Sequence, residues 1–163
     1  MRFCLLDRIS SLEPGVKLTA VKNVSLAEEY LADHFPEFPV LPGVFMLEAA
    51  TQAASWLVRL SENYAHSLIT LQEARSVKFT DFVSPGRQLQ ITVEQLSRAG
   101  AHASFKFQGE VEVRNCVSGR ITLECINLAD EDPDMADVDS RLIEHQKHIQ
   151  SLLTRGLPSP AAV

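Results

Sequence analysis

Apolar residues punctuated by turn signals predict the outline of the chain. Phe3–Ile9 and Lys17–Val24 read as two strands around the turn Glu13-Pro14-Gly15. Residues 31–43 then carry Pro36, Pro39, Pro42 and Gly43, which exclude both a helix interior and a central strand. A stiff, irregular loop is expected there, and stiffness suits a segment that must hold a side chain in place. From Val44 to Leu60 no helix breaker appears, so a helix of roughly four or five turns should begin beside Pro42-Gly43. Its polar residues Glu48, Gln52, Ser55 and Arg59 fall on one narrow stripe at 100° per residue, and every other face is apolar. Such a helix is buried around most of its circumference. Strand-like runs follow at Leu68–Phe79, Gln88–Leu96, Ala101–Val113 and Val117–Leu128, with Gly119 read as a bulge or turn point. Successive hairpins after one buried helix predict an α+β domain, a helix wrapped by a meandering antiparallel sheet. Ala129–Met135 reads as an acidic linker. Val138, Leu142, Ile149 and Leu152 then form the apolar seam of an amphipathic helix of about 18 residues, with Gly156 as its stop and a disordered Pro-Ser-Pro tail.

The length of 163 residues suits one domain with its own core. We divide it into a body, 1–128, and an appended linker, helix and tail, 129–163. Lys and Arg number 15 against 21 Asp and Glu, a net charge of -6, which argues against a nucleic-acid partner. Much of this acidity sits after residue 128, where seven acids meet three bases. The most apolar stretch, Phe38–Leu60, holds Pro42, Glu48, Gln52 and Arg59 and does not suit membrane insertion. A charge follows closely on Phe3-Cys4-Leu5-Leu6, unlike a signal peptide, so a cytoplasmic protein is expected. Cys4, Cys116 and Cys125 are odd in number and widely spaced, as reduced core thiols would be.

Three features could carry chemistry. His34 opens the proline loop, whereas His66 and His102 read as surface residues and His145 and His148 as a solvated helix face without a third metal ligand. Glu48 is an acid on an apolar helix, with Gln52 one turn on and able to hydrogen-bond it. The bland alternative is that Glu48, Gln52, Ser55 and Arg59 are merely the wet side of an amphipathic helix. Finally, the amides of Gly43 and Val44 begin a helix, lack intrahelical partners, and could polarise a carbonyl. An imidazole, a carboxyl and such amides are what proton abstraction beside a carbonyl requires.

The stretch from His34-Phe35-Pro36 through Leu41-Pro42-Gly43 to Leu47-Glu48 and Gln52 resembles the signature of the 3-hydroxyacyl-[acyl-carrier-protein] dehydratases of bacterial fatty-acid synthesis, including the His-to-Glu separation of fourteen positions. Leu6-Asp7-Arg8, Ala20–Ser25, Glu73-Ala74-Arg75 with Lys78-Phe79, and Pro85-Gly86 with Gln88-Leu89 extend the likeness over about residues 3 to 127. The resemblance implies a hotdog fold, a homodimer or trimer of dimers with one continuous sheet per dimer, an acyl tunnel at the interface, and no cofactor or metal. It further implies that His34 of one protomer takes the C2 proton while Glu48 of the other protonates the leaving hydroxyl. Gln52 would orient Glu48, and Gly43 and Val44 would bind the substrate at the thioester carbonyl. For that role Glu48 has to hold a proton near neutral pH, which burial would favour. The implied product is the trans-2-enoyl thioester without isomerisation, since the Gly-Cys-Leu-Gly-Leu-Asp form of the isomerising branch is absent. An acyl carrier protein would be the partner, with Arg75, Lys78, Arg87 and Arg98 free to form a docking face. Glu37 and Phe38 depart from the family pattern, as do the lack of a His-Arg-Tyr-Pro stretch ahead of the first strand and the C-terminal extension. A hotdog thioesterase and a non-catalytic acyl-binding or carrier-binding module are the competing readings.

Overall fold

A computed structural model describes residues 3–155 and 157. The expected stop at Gly156 and the Pro-Ser-Pro tail lie outside the described residues. Six strands form one antiparallel sheet: β1 (Arg8–Glu13), β2 (Lys17–Asn23), β3 (Leu68–Phe79), β4 (Gln88–Ala99), β5 (His102–Val111) and β6 (Arg114–Ile126), in the order β1-β2-β4-β5-β6-β3. Helix α1 spans Tyr30–Asp33, α2 spans Gly43–Ser61 and α3 spans Ala136–Leu153.

The sheet wraps α2 as expected, but it is not a simple meander. β3 pairs with β6 instead of its sequence neighbour β4, and β4 returns to pair with β2. The 19 residues of α2, about 28 Å long, carry the chain across the concave face and set β3 down on the opposite edge. Ala49, Ala50, Ala53, Ala54 and Leu57 of α2 are fully buried against Ile91, Val93, Phe105, Phe107 and Leu123 from the sheet. Four alanines on one face let the helix axis approach the sheet closely. Gly119 is no bulge: it pairs in register with Phe107, and a Cβ there would stand 3.0 Å from the Phe107 ring. β3 carries two of the sheet's register shifts, between Leu71 and Glu73 and between Arg75 and Lys78, where Ser76 takes a left-handed φ of 52°; others fall between Ile9 and Ser11, Gln95 and Ser97, and Gly109 and Glu110.

Two other expectations shift. The first strand begins at Arg8, because Leu5 and Leu6 are buried without strand pairing. Of the cysteines, Cys116 and Cys125 are buried while Cys4 is exposed.

α3 occupies the predicted stretch with its seam rotated at the end: Leu153 is buried and Leu152 exposed. Ahead of it, two short 3-10 turns, Leu128–Asp130 and Pro133–Met135, replace an irregular linker. The clasp is Asp139, whose carboxylate accepts from Ser67 Oγ at 2.5 Å and from the amides of Leu128 and Ala129 at 3.0 and 2.9 Å. Tyr64 donates its hydroxyl to Gln150 further along the helix. The Ser67 hydroxyl and the two amides hold the Asp139 carboxyl below the usual aspartate range. Its contribution is therefore complete above the unfolded pKa and lost as pH falls through the lower folded value, below about pH 4. Melting curves across that range should be steeper with pH for the wild type than for Asp139→Asn.

Candidate active site

Lys22 is a buried cation near the end of β2. Its Nζ donates to both oxygens of Glu28, at 2.8 and 3.0 Å, and to the Asn23 carbonyl. Tyr30 and the Ser25 amide also donate to Glu28. Burial pushes the Glu28 carboxyl up, and its bonds to Lys22, Tyr30 and Ser25 outweigh this, leaving it below the usual range. Asp7 accepts the Asn23 amide at 2.6 Å, and the Tyr30 ring stands edge-on to Phe45. This polar clasp fixes α1, a turn of helix that the proline-rich pattern concealed, and α1 ends against His34.

His34 is half-buried and its ring lies 4.4 Å from that of Phe35. Phe35 has a φ of 52°, a left-handed backbone that costs a bulky side chain about 1–3 kcal/mol. Its strain sits beside the candidate base and is held by the turn that follows, in which Phe38 donates its amide to the Phe35 carbonyl at 2.7 Å. Glu37 is exposed and, among the described residues, forms no bond with His34.

Pro42 caps α2, its carbonyl accepting the Phe45 and Met46 amides. The Gly43 and Val44 amides have no acceptor among the described residues. Gly43 packs against Phe79, so that a Cβ at this position would stand 3.1 Å from the ring. Leu41 donates to the Val83 carbonyl and ties the loop to the segment after β3.

Within α2, Gln52 reaches back one turn to Glu48 as its spacing suggested: Nε2 donates to Glu48 Oε1 at 2.9 Å and to the Phe3 carbonyl, while Oε1 accepts the Leu5 amide. Three bonds fix which end of the amide faces the carboxyl. The rest of the stripe is not a wet face. Ser55 and Arg59 are buried, Ser55 donating to the Thr51 carbonyl. The stripe lines a cavity of about 280 Å³ closed on one side by α3 through His145, Gln146 and Ile149. Burial pushes the Arg59 guanidinium down to about 10, so it stays charged at neutral pH. The sequence placed Arg59 on the stripe but carried no sign of the roof above it.

His34 and Gly43 line a second cavity, of about 370 Å³, with Leu41, Met46, Phe79 and Phe82. His34 and Glu48 thus open into different cavities of one chain. The structure brings together Glu48 with Gln52, and His34 with Gly43, but does not join the two pairs. Val44 is 65% exposed.

The expected docking cations are less free than the sequence suggested. Arg98 makes a two-pronged bond to Glu62, at 2.7 and 3.0 Å, and contacts His66, so His66 is no plain surface residue. Arg87 pairs with Glu112 and Arg75 with Glu73. Arg87 and Arg98 also flank opposite ends of β4, a strand of 12 residues and about 40 Å. Lys78 is exposed and unpaired among the described residues. No helix among the described residues is long and apolar enough to cross a membrane.

The model of the ApeI-like family, described as ApeI dehydratase, matches residues 11–120. The 3-hydroxyacyl-[acyl-carrier-protein] dehydratase FabZ of Ruminiclostridium cellulolyticum is 36% identical over 119 residues, 73% of this chain and 84% of that protein. FabZ of Myxococcus xanthus is 36% identical over 137 residues, 83% of this chain and 88% of its own length. Among solved structures, the dehydratase heterocomplex ApeI:P of Xenorhabdus doucetiae has a TM-score of 0.67 at 21% identity, over 82% of this chain and 90% of that one. PH1136 of Pyrococcus horikoshii has a TM-score of 0.60 at 17% identity, over 77% and 87%. The six-stranded antiparallel sheet around α2 is a hotdog fold, and the chain belongs to the ApeI-like family of dehydratases.

Proposed function

We propose that the protein dehydrates (3R)-3-hydroxyacyl thioesters on acyl carrier protein to trans-2-enoyl thioesters, in fatty-acid or related lipid biosynthesis, at sites shared by two protomers. The observation that carries the shared site is the separation of His34 from Glu48 into two cavities of one chain. β3 supports it as an edge strand of 12 residues with one side unpaired within the chain, a template for a second strand. In this reading β3 pairs with its symmetry copy to continue the sheet, and one chain's His34 cavity would meet the other's Glu48 cavity.

In this reading the thioester carbonyl accepts from the free amide of Gly43 at the positive end of α2, with Val44 beside it. The His34 imidazole removes a proton from C2. The C3–O bond breaks as Glu48 gives its proton to the departing hydroxyl, releasing water and leaving the C2–C3 double bond. Gln52, held by Phe3 and Leu5, keeps the Glu48 carboxyl aimed. Residues 1–128 carry this machinery and 129–163 add α3. Of the four expected docking cations, Lys78 is the one unpaired among the described residues; Arg75 and Arg87 are exposed but paired with Glu73 and Glu112, and Arg98 is left out because Glu62 holds it in a less exposed pair.

The purified chain with a 3-hydroxyacyl thioester should give the enoyl absorbance without releasing thiol. Thiol release would instead mark a thioesterase, and tight acyl-carrier binding without turnover an inert module. The Xenorhabdus doucetiae structure is a dehydratase heterocomplex, which makes a second, different chain the alternative to a second copy. A monomeric, inactive chain that gains activity with such a partner would favour it.

A further inference from the structure

Arg59 presents a problem of charge. The residue is 8% exposed, and its guanidinium forms no salt bridge or hydrogen bond among the described residues and leaves the buried Nε unpartnered. Its guanidinium carbon lies 5.6 Å from the centre of the Trp56 ring, a contact too weak to replace a counter-ion. A buried, unpaired cation is strongly destabilising, and Arg is the side chain best shaped to bind a carboxylate with two parallel bonds. The cavity it lines is continuous with Glu48 and is walled by Thr51, Gln52, Ser55 and Trp56. Trp56, under the guanidinium, lies eight residues from Glu48, about 12 Å along α2. Glu48 is the one acid lining the cavity among the described residues, and it is held by Gln52 at the far end.

We propose that this cavity receives the far end of the acyl chain and that Arg59 binds a carboxylate there, so that the preferred substrate is a 3-hydroxyacyl thioester ending in a carboxylate. The proposal rests on the dehydratase reading, since it is Glu48 that links the cavity to the reacting carbons. α3 completes the pocket through His145, Gln146 and Ile149, which gives the C-terminal extension a part in substrate selection.

The test compares two 3-hydroxyacyl thioesters of matched length, one ending in a methyl group and one in a carboxylate. The wild type should favour the carboxylate in kcat/KM by at least about tenfold, and Arg59→Met should bring the ratio close to one. A second arm needs no turnover: calorimetry with octanoate and its neutral amide, octanamide, should show a preference for the carboxylate in the wild type that Arg59→Met loses. Octanoate should also raise the wild-type melting temperature, whether or not the variant folds. Equal kcat/KM for both thioesters, or no preference for octanoate over octanamide, overturns the proposal. Failure to turn over either thioester, with Arg59-dependent octanoate binding intact, would overturn the dehydratase reading and leave the carboxylate pocket standing.

Discussion

His34→Ala is expected to lower turnover by about 10²–10⁴-fold, the range for loss of a positioned general base, with little change in melting temperature. The side chain is half-buried, forms no hydrogen bond among the described residues, and touches chiefly Phe35. Its removal therefore takes little from the fold. What fixes the loop is elsewhere: the Lys22–Glu28–Tyr30 clasp upstream, the turn after Phe35, and the bond from Leu41 to Val83. A loop built so heavily around one weakly engaged imidazole is positioned for something other than stability. Enoyl formation and thermal melting on the same sample would check this. Turnover at the wild-type rate would remove His34 from the mechanism.

Glu48→Gln should be about as damaging, for a different reason. The substitution preserves shape and leaves an amide oxygen to accept the bond from Gln52 Nε2 at 2.9 Å, so α2 and the segment held through Phe3 and Leu5 stay in place. Only the transferable proton is lost. The expected outcome is a fall in kcat of about 10²-fold or more with KM changed far less, because the proton is needed only as the C3–O bond breaks. A large rise in KM with kcat preserved would make Glu48 a binding group.

The chain disclosed its central helix almost to the residue, because Pro42-Gly43 starts it and no breaker follows until its end. The Glu48–Gln52 bond was legible for the same reason, being one helical turn. β1 was misplaced because apolar patterning reports burial, and Leu5 and Leu6 are buried without pairing. α1 was hidden among prolines and depends on a cation buried in a neighbouring strand. β3 lies beside β6 only because α2 is long enough to cross the sheet, a constraint no local pattern carries. Arg59 was visible as a member of the stripe, but the helix that closes its cavity lies about ninety residues away in the chain. The family signature supplied His34 and Glu48 as a pair, and spacing alone could not have told that one chain keeps them apart.

The claim that each site takes His34 from one protomer and Glu48 from the other is tested most directly by complementation. His34→Ala and Glu48→Gln chains, each nearly inactive alone, are unfolded, mixed in equal amounts and refolded together. In a mixed dimer one of the two sites receives both an intact His34 and an intact Glu48, so activity should recover to about a quarter of the wild-type value. Recovery to that level is the result predicted here; a mixture no more active than its parents would place both residues in a site made by a single chain.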